Sequence, residues 1–294
     1  MSQKIRTITV LGAGAMGRGI AQVSAMGGYR THLYDVAPTV LEEAGRVVDK
    51  NLDKGVQLGK VDEPTAELAK ANLVLDTELA DAVAEADLVI EAVPESLELK
   101  LEIFQLAADT APPEALFATN TSGLSITEMA PASGRPERFA GMHFFNPVHI
   151  MKLVELVKGL ETSEETVALL KEVAERMGKQ VVVVNESPGF VTSRINALIG
   201  NESFRMLQEG VASAEDIDTA LKLGLNHPMG PFELVDLVGL DIRLSILQYL
   251  HQTLGETYRP NNLLVQYVRA GRLGRKTKRG VYDYDDEGKR IRLQ

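Results

Sequence analysis

The sequence predicts an α/β protein, a doubly wound parallel sheet followed by an all-α C-terminal domain. Three observations carry this. Short β-rich runs alternate with longer helical patterns as far as residue 185, the signature of βαβ units. A glycine turn, Gly12-Ala13-Gly14-Ala15-Met16-Gly17, joins the first such run to the first helical pattern. From residue 186 the pattern is helical nearly to residue 271, with no strand-like alternation. The domains are therefore expected at 1–185 and 186–294.

The elements follow in order. Ile5 to Leu11 reads as a strand ending in glycines. Ala15 to Gly27 reads as a helix, with Met16, Ile20, Val23 and Met26 on one face. Arg30 to Tyr34 is a second strand, ending at Asp35. Val40 to Gly59 and Pro64 to Ala71 have helical spacing and many charges. Asp87 to Val93 is a buried strand of the parallel type, and Glu95 to Thr110 is helical. Leu116 to Asn120, Phe139 to His143, Lys152 to Val157 and Gln180 to Asn185 are further strands, the last two flanking a helix from Ser163 to Met177. In the second domain, Ser187-Pro188 reads as a helix start, with serine as cap and proline at the first helical position. Ser213 and Asp216 form a variant capping box, and Gly210, Gly224 and Gly255 fall where helix C-caps belong.

Composition narrows the function. The 294 residues are 45% hydrophobic and 24% charged, the balance of a globular protein rather than a disordered one. There is no cysteine, which excludes a disulfide framework, thiolate metal sites and cysteine catalysis. A net charge of -10 argues against nonspecific nucleic-acid binding. No apolar run is long enough to span a bilayer, and the start lacks a presequence pattern. A cytoplasmic protein is expected. No His and carboxylate spacing matches a helical metal-ligand pair, so no metal site is expected.

The glycine turn is the first chemical signal. Gly12 allows a tight turn, Gly14 lets the backbone approach a pyrophosphate, and Gly17 lets helix and sheet pack closely. The helix N-terminus supplies amide donors and partial positive charge to phosphates. Asp35, at the end of the next strand, can accept both ribose hydroxyls and repels a 2′-phosphate, which favours NAD over NADP. This is a Rossmann-like arrangement.

There are five histidines. His32 lies within a strand and reads as structural. His251 reads as a surface or packing residue on a helix. His227 sits at a helix junction, and His149, after a proline turn, stays undecided. His143 ends an apolar strand, where a parallel sheet faces its ligand crevice. Glu155 lies among apolar residues, where a carboxylate is costly unless paired. A His143–Glu155 pair would give an imidazole of fixed tautomer, the general acid/base that alcohol–ketone redox with a nicotinamide requires. The alternative is a structural histidine and an edge-strand glutamate facing water. Ser122 follows another strand and could bond the reacting oxygen; ordinary turn chemistry is the alternative.

With these residues assembled, the chain resembles the L-3-hydroxyacyl-CoA dehydrogenase family, most closely its short bacterial type acting on 3-hydroxybutyryl-CoA. The resemblance runs over nearly the whole chain, through LGAGAMGRGIA (11–21), EAVPESLELK (91–100), ATNTSGLSI (118–126), RFAGMHFFNPVHIMKLVEL (138–156), ESPGFVTSR (186–194), LGLNHPMGPFELVDLVGLD (223–241) and GRKTKRGVYDY (274–284). It implies that His143 is the base and Glu155 its partner, that Ser122 contacts the substrate's C3 oxygen, and that Asn146 helps hold substrate and nicotinamide. Glu95 and Lys100 match positions near the cofactor, and Lys276 matches a late lysine that reaches NAD. An acyl-CoA substrate and a homodimer formed by the helical domains are implied as well. Two positions depart from the pattern. Ser193 stands where many members have Asn, and Gly123 where many have a second serine. Asn51 and Lys54, with Lys60 beyond the helix end, are candidate coenzyme A contacts; a solvated charged face is their alternative. A dehydrogenase of a free 3-hydroxy acid and a non-enzymatic NAD-binding protein remain as other readings.

Overall fold

The computed structural model describes residues 4–291. The chain divides into two compact units, Met1–Ser187 and Pro188–Gln294. The first unit runs β1 (Thr7–Leu11), α1 (Ala15–Met26), β2 (Arg30–Tyr34), α2 (Pro38–Gln57), α3 (Glu63–Asn72), β3 (Leu73–Asp76), α4 (Leu79–Val83), β4 (Leu88–Glu91), α5 (Leu97–Thr110), β5 (Leu116–Thr119), α6 (Ile126–Met129), β6 (Phe139–Phe144), β7 (Leu153–Lys158), α7 (Glu164–Arg176) and β8 (Gln180–Asn185). Side chains mark several helix starts. Asp62 accepts from the Thr65 amide at 2.8 Å and Ser163 from the Thr166 amide at 3.1 Å, each meeting an amide that lacks an intrahelical partner.

The eight strands form one sheet in the order β3-β2-β1-β4-β5-β6-β7-β8. From β3 to β6 the pairs are parallel. The middle strands β1, β4, β5 and β6 are buried along their whole length, as strands covered on both faces must be. The last two strands correct the all-parallel expectation. β7 pairs antiparallel with β6, and β8 then pairs parallel with β7. The connection 145–152 contains no helix, and a parallel crossover needs a dozen residues or more. Three elements, β3 and the short helices α4 and α6, have no counterpart in the sequence reading.

Strand order reverses at β1, between β2 and β4, so the ligand crevice is expected at the C-terminal ends of β1 and β4. The loops after β1, β4, β5 and β6 carry the glycine turn, Glu95, Ser122 and Asn146 respectively.

The second unit holds α8 (Thr192–Gln208), α9 (Ala214–Gly224), α10 (Pro231–Val238), α11 (Leu240–Leu254) and α12 (Asn262–Arg269). Its core gathers Phe204, Ile217, Phe232, Leu247, Leu250 and Leu264. Phe204 and Phe232 meet edge to face at 5.2 Å. Ser213 caps α9 through the Asp216 amide at 3.1 Å. Two local expectations are corrected here. Ser187-Pro188 does not open α8, because Gly189 and Phe190 take positive φ and the helix begins only at Thr192. Gly224 is the last residue of α9 rather than its cap, and Asn226 takes the left-handed position instead. Gly210 and Gly255 do follow their helices with positive φ.

Two buried aspartates tie the C-terminal segment to this unit. Asp218 accepts from the Phe232 and Glu233 amides and the Tyr282 hydroxyl. Asp236 accepts from the Val281 and Tyr282 amides and the Tyr284 hydroxyl. Burial pushes both carboxyls above the usual range, against the pull of these hydrogen bonds.

Candidate active site

The glycine turn meets the demands of a dinucleotide site. Gly12 takes φ +98, and a Cβ there would lie 2.8 Å from the Ala92 carbonyl oxygen after β4. At Gly17 a Cβ would lie 1.6 Å from the Gly12 carbonyl oxygen. These two glycines are required by the protein's own packing. Gly14 is different, since a Cβ there would meet no protein atom within 4 Å. The space a pyrophosphate would use is open, and Gly14 is the N-cap of α1, with no side-chain cap and no acid in the first turn. The amides of Ala15, Met16 and Gly17 thus face no competing carboxylate from the first turn. Asp35 accepts from the Ala13 amide at 2.9 Å and the Ala37 amide at 3.0 Å. One bond per oxygen leaves lone pairs for ribose hydroxyls.

A charged network stands beside this turn. Glu91, wholly buried at the end of β4, accepts from Lys100 at 2.6 Å, the Val93 amide at 2.7 Å and Thr119 at 2.6 Å. Burial pushes the Glu91 carboxyl upward, more strongly than Lys100 draws it down. Lys100, 1% exposed, also reaches Glu95 at 3.2 Å and the Val93 carbonyl at 3.4 Å. Its three N–H groups are therefore spent within the protein, and it stands one layer behind Glu95. Glu95 in turn accepts from the Thr121 hydroxyl at 2.6 Å, the Ser122 amide at 3.0 Å and the Ser122 hydroxyl at 3.3 Å. Burial raises Glu95, but Lys100 and these donors outweigh it and hold the carboxyl below its usual range. Ser122 is thus positioned from β4 through Glu91, Lys100 and Glu95.

His143 and Glu155 face each other across the antiparallel β6–β7 pair. His143 Nδ1 lies 2.8 Å from Glu155 Oε2, with the side chains 9% and 1% exposed. A buried carboxylate at that distance fixes the tautomer with Nδ1–H donated to Glu155, leaving the lone pair on Nε2. The Phe145 ring packs 4.5 Å from the imidazole. Asn120, at the end of β5, accepts from the Phe144 amide at 2.9 Å and so joins the two strand ends. Met16, Glu95, Asn120, Ser122 and His143 line one cleft. Asn146 is exposed just beyond β6.

Of the other candidates, two sit on α2. Asn51 donates to Gln22 at 3.2 Å and links α2 to α1, whereas Lys54 is exposed on α2 near Arg46 and Lys50. Lys60 is exposed beyond the helix end. Ser193 lies in the first turn of α8, and Lys276 pairs with Asp241 at 2.6 Å, both within the second unit. His32 is bound to Asp76 at 2.8 Å and His251 to Glu256 at 3.1 Å, in keeping with structural and surface roles. Among the described residues no acidic or histidine group could hold a metal ion, and no helix is long and apolar enough to cross a membrane. Sequence reasoning passed over Glu91, Thr119 and Asn120. The strand-end argument that picked out His143 applies equally to them.

Two family models cover the chain. The 3-hydroxyacyl-CoA dehydrogenase NAD binding domain matches residues 7–187, and the C-terminal domain of the same family matches residues 189–284. A 3-hydroxybutyryl-CoA dehydrogenase of Bradyrhizobium diazoefficiens is 46% identical over 285 residues, 97% of each chain. The mitochondrial hydroxyacyl-coenzyme A dehydrogenase of Rattus norvegicus is 40% identical, covering 95% of this chain and 91% of its own. Among solved structures, (S)-3-hydroxybutyryl-CoA dehydrogenase of Ralstonia eutropha superposes with a TM-score of 0.93 at 41% identity, over 96% of this chain and 100% of that one. With its nucleotide turn, its His143–Glu155 pair and both domains matched, the chain belongs to the 3-hydroxyacyl-CoA dehydrogenase family, and its first unit is that family's NAD-binding domain.

Proposed function

We propose that the protein interconverts (S)-3-hydroxyacyl-CoA and 3-ketoacyl-CoA with NAD, on short chains such as 3-hydroxybutyryl and acetoacetyl. The observation that carries the reading is the buried His143–Glu155 pair opening on the same cleft as Ser122 and the nucleotide turn. The Gly12–Gly17 turn and Asp35 would hold NAD, which would supply the hydride acceptor for C3. His143 Nε2 takes the C3 hydroxyl proton, and Glu155 stabilises the imidazolium that results. The Ser122 hydroxyl is held by a long 3.3 Å bond to Glu95, so it can turn to the C3 oxygen. Asn146, on the adjoining loop, helps hold substrate and nicotinamide. In the reducing direction the same imidazolium returns the proton.

Two observations separate the acyl-CoA reading from a free hydroxy acid. The relatives' names carry the thioester. A free carboxylate would need a cation, and among the described residues that line the cleft the one lysine or arginine, Lys100, is already committed to Glu91 and Glu95. Lys54 on α2 is the candidate for coenzyme A phosphates. The helical unit exposes Val211, Leu223, Leu225, Leu237 and Ile242, which supports a homodimer through that unit. The substrate class supports a place in fatty-acid or butanoate metabolism.

The test is acetoacetyl-CoA reduction followed in parallel with NADH and NADPH, alongside free acetoacetate. Rapid turnover of the thioester with NADH is expected, with NADPH much slower because Asp35 repels the 2′-phosphate. Faster turnover with NADPH would remove the role given to Asp35. Equal rates on free acetoacetate would remove the acyl-CoA assignment.

A further inference from the structure

The loop 145–152 joins His143's strand to Glu155's strand and carries Asn146. Its own backbone supplies little to hold it. The Ile150 and Met151 amides both turn back to the Pro147 carbonyl, at 3.0 and 2.9 Å. Val148 is 2% exposed and packs so closely on α1 that a Cβ at Gly19 would lie 2.9 Å from its Cβ. Further anchors come from a distant part of the chain, where the Gln180 amide donates to the Lys152 carbonyl at 2.7 Å. After α7, Gly178 turns with φ +76 and delivers Lys179 beneath the loop. The Lys179 ammonium donates to the Val148 carbonyl and, at 2.8 Å, to the Met151 carbonyl.

This lysine is unusual on three counts. It is 7% exposed. Among the described residues it has no carboxylate partner, and both of its hydrogen bonds go to main-chain carbonyls of one loop. Burial pushes its pKa down to about 8, the cost of a desolvated cation without a counter-charge. A methionine would fill the same space without that cost, so the charge-assisted bonds to the loop are what the lysine adds.

We propose that Lys179 is a positioning residue for the reaction. It fixes the 145–152 loop from below, so that Asn146 is held in register with His143. The proposal rests on the reading that Asn146 touches substrate or cofactor. Misplacing a positioning group by about 1 Å costs on the order of a hundredfold, so a loosened loop registers in turnover before it registers in global folding.

The experiment is a double-mutant cycle on the full chain with Lys179→Met and Asn146→Ala, reading kcat and KM for acetoacetyl-CoA. Amide hydrogen exchange of Ile150 and Met151 is read without any ligand. Lys179→Met is expected to lower kcat/KM by about ten- to a hundredfold and to speed exchange at both amides. In the Asn146→Ala background the same change is expected to cost about threefold or less. Lys179→Arg, which keeps the charge and the donors, is expected to recover part of the loss. Where Lys179→Met does not fold, Lys179→Gln replaces it in the same cycle. Additive losses, or unchanged exchange at Ile150 and Met151, overturn the proposal. Normal turnover in Asn146→Ala alone overturns the underlying role of Asn146, and the proposal with it. The two failures are thus told apart by the Asn146 single variant.

Discussion

Buried carboxylates occur in both units, and they are satisfied in different ways. In the helical unit, Asp218 and Asp236 accept only from main-chain amides and tyrosine hydroxyls. None of those donors changes its protonation near neutral pH, so these aspartates can only hold chain. In the sheet unit Glu155 faces an imidazole at 2.8 Å, at the rim of a cleft. Its partner is an imidazole, a group able both to donate and to accept a proton. A buried acid alone therefore says nothing about chemistry; the kind of partner it has and that partner's access to a ligand decide. The contrast breaks most sharply at the imidazole. His143→Gln is expected to lower kcat by about a thousandfold, the scale of a lost general acid/base. NADH affinity by fluorescence titration and the melting temperature should stay near the parent values. Turnover within tenfold of the parent would return Glu155 to the structural class.

The opposite change probes the other member of the comparison. Asp236→Ala leaves the buried Tyr282 amide, the half-buried Val281 amide and the Tyr284 hydroxyl without an acceptor. Unsatisfied buried groups cost about 1–3 kcal/mol each, so a loss on the order of 3 kcal/mol in chemical denaturation is expected. The kcat of the folded fraction should be unchanged at low temperature. A fall in kcat with stability intact would assign the aspartate a catalytic part that its hydrogen bonds do not suggest.

The same contrast explains what the sequence could and could not reveal. The glycine turn, Asp35 and His143 are legible because each depends on local order, a strand followed by a turn, which periodicity displays. The His143–Glu155 contact is not local. It depends on the antiparallel register of β6 and β7, which a sheet read as parallel does not supply; the pairing rested only on the cost of an unpaired carboxylate among apolar residues. Burial decided Glu155, and burial is a property of the neighbours rather than of the residue. Glu91 was overlooked for a related reason. It closes the apolar run of β4 as an ordinary strand end, and its importance appears only when Lys100, Val93 and Thr119 converge on it. β3 is an edge strand with one neighbour, and its residues Leu73–Asp76 are partly exposed. Such a segment carries little alternation to read. Ser187-Pro188 had the chemistry of a helix cap, yet the backbone beyond it turns through two left-handed residues before α8 begins.

The finest division runs through the glycine turn itself, between glycines needed by the protein and the glycine needed by a ligand. Gly17→Ala would place a methyl 1.6 Å from the Gly12 carbonyl oxygen, so the turn cannot survive and folding and cofactor binding should fail together. Gly14 has ordinary negative φ and no protein atom within 4 Å of its missing Cβ. Alanine there is tolerated by the chain and also lowers the entropy of the unfolded state, which favours folding slightly. The methyl would stand where the pyrophosphate approaches. Gly14→Ala is therefore expected to keep or slightly raise the melting temperature while weakening NADH about tenfold, roughly 1.4 kcal/mol. Binding is read by fluorescence titration, and kcat at saturating NADH should change less than KM. If NADH bound Gly14→Ala as tightly as the parent, the open space above α1 would not be the phosphate site. If instead the variant lost stability, Gly14 would join Gly12 and Gly17 as a packing glycine.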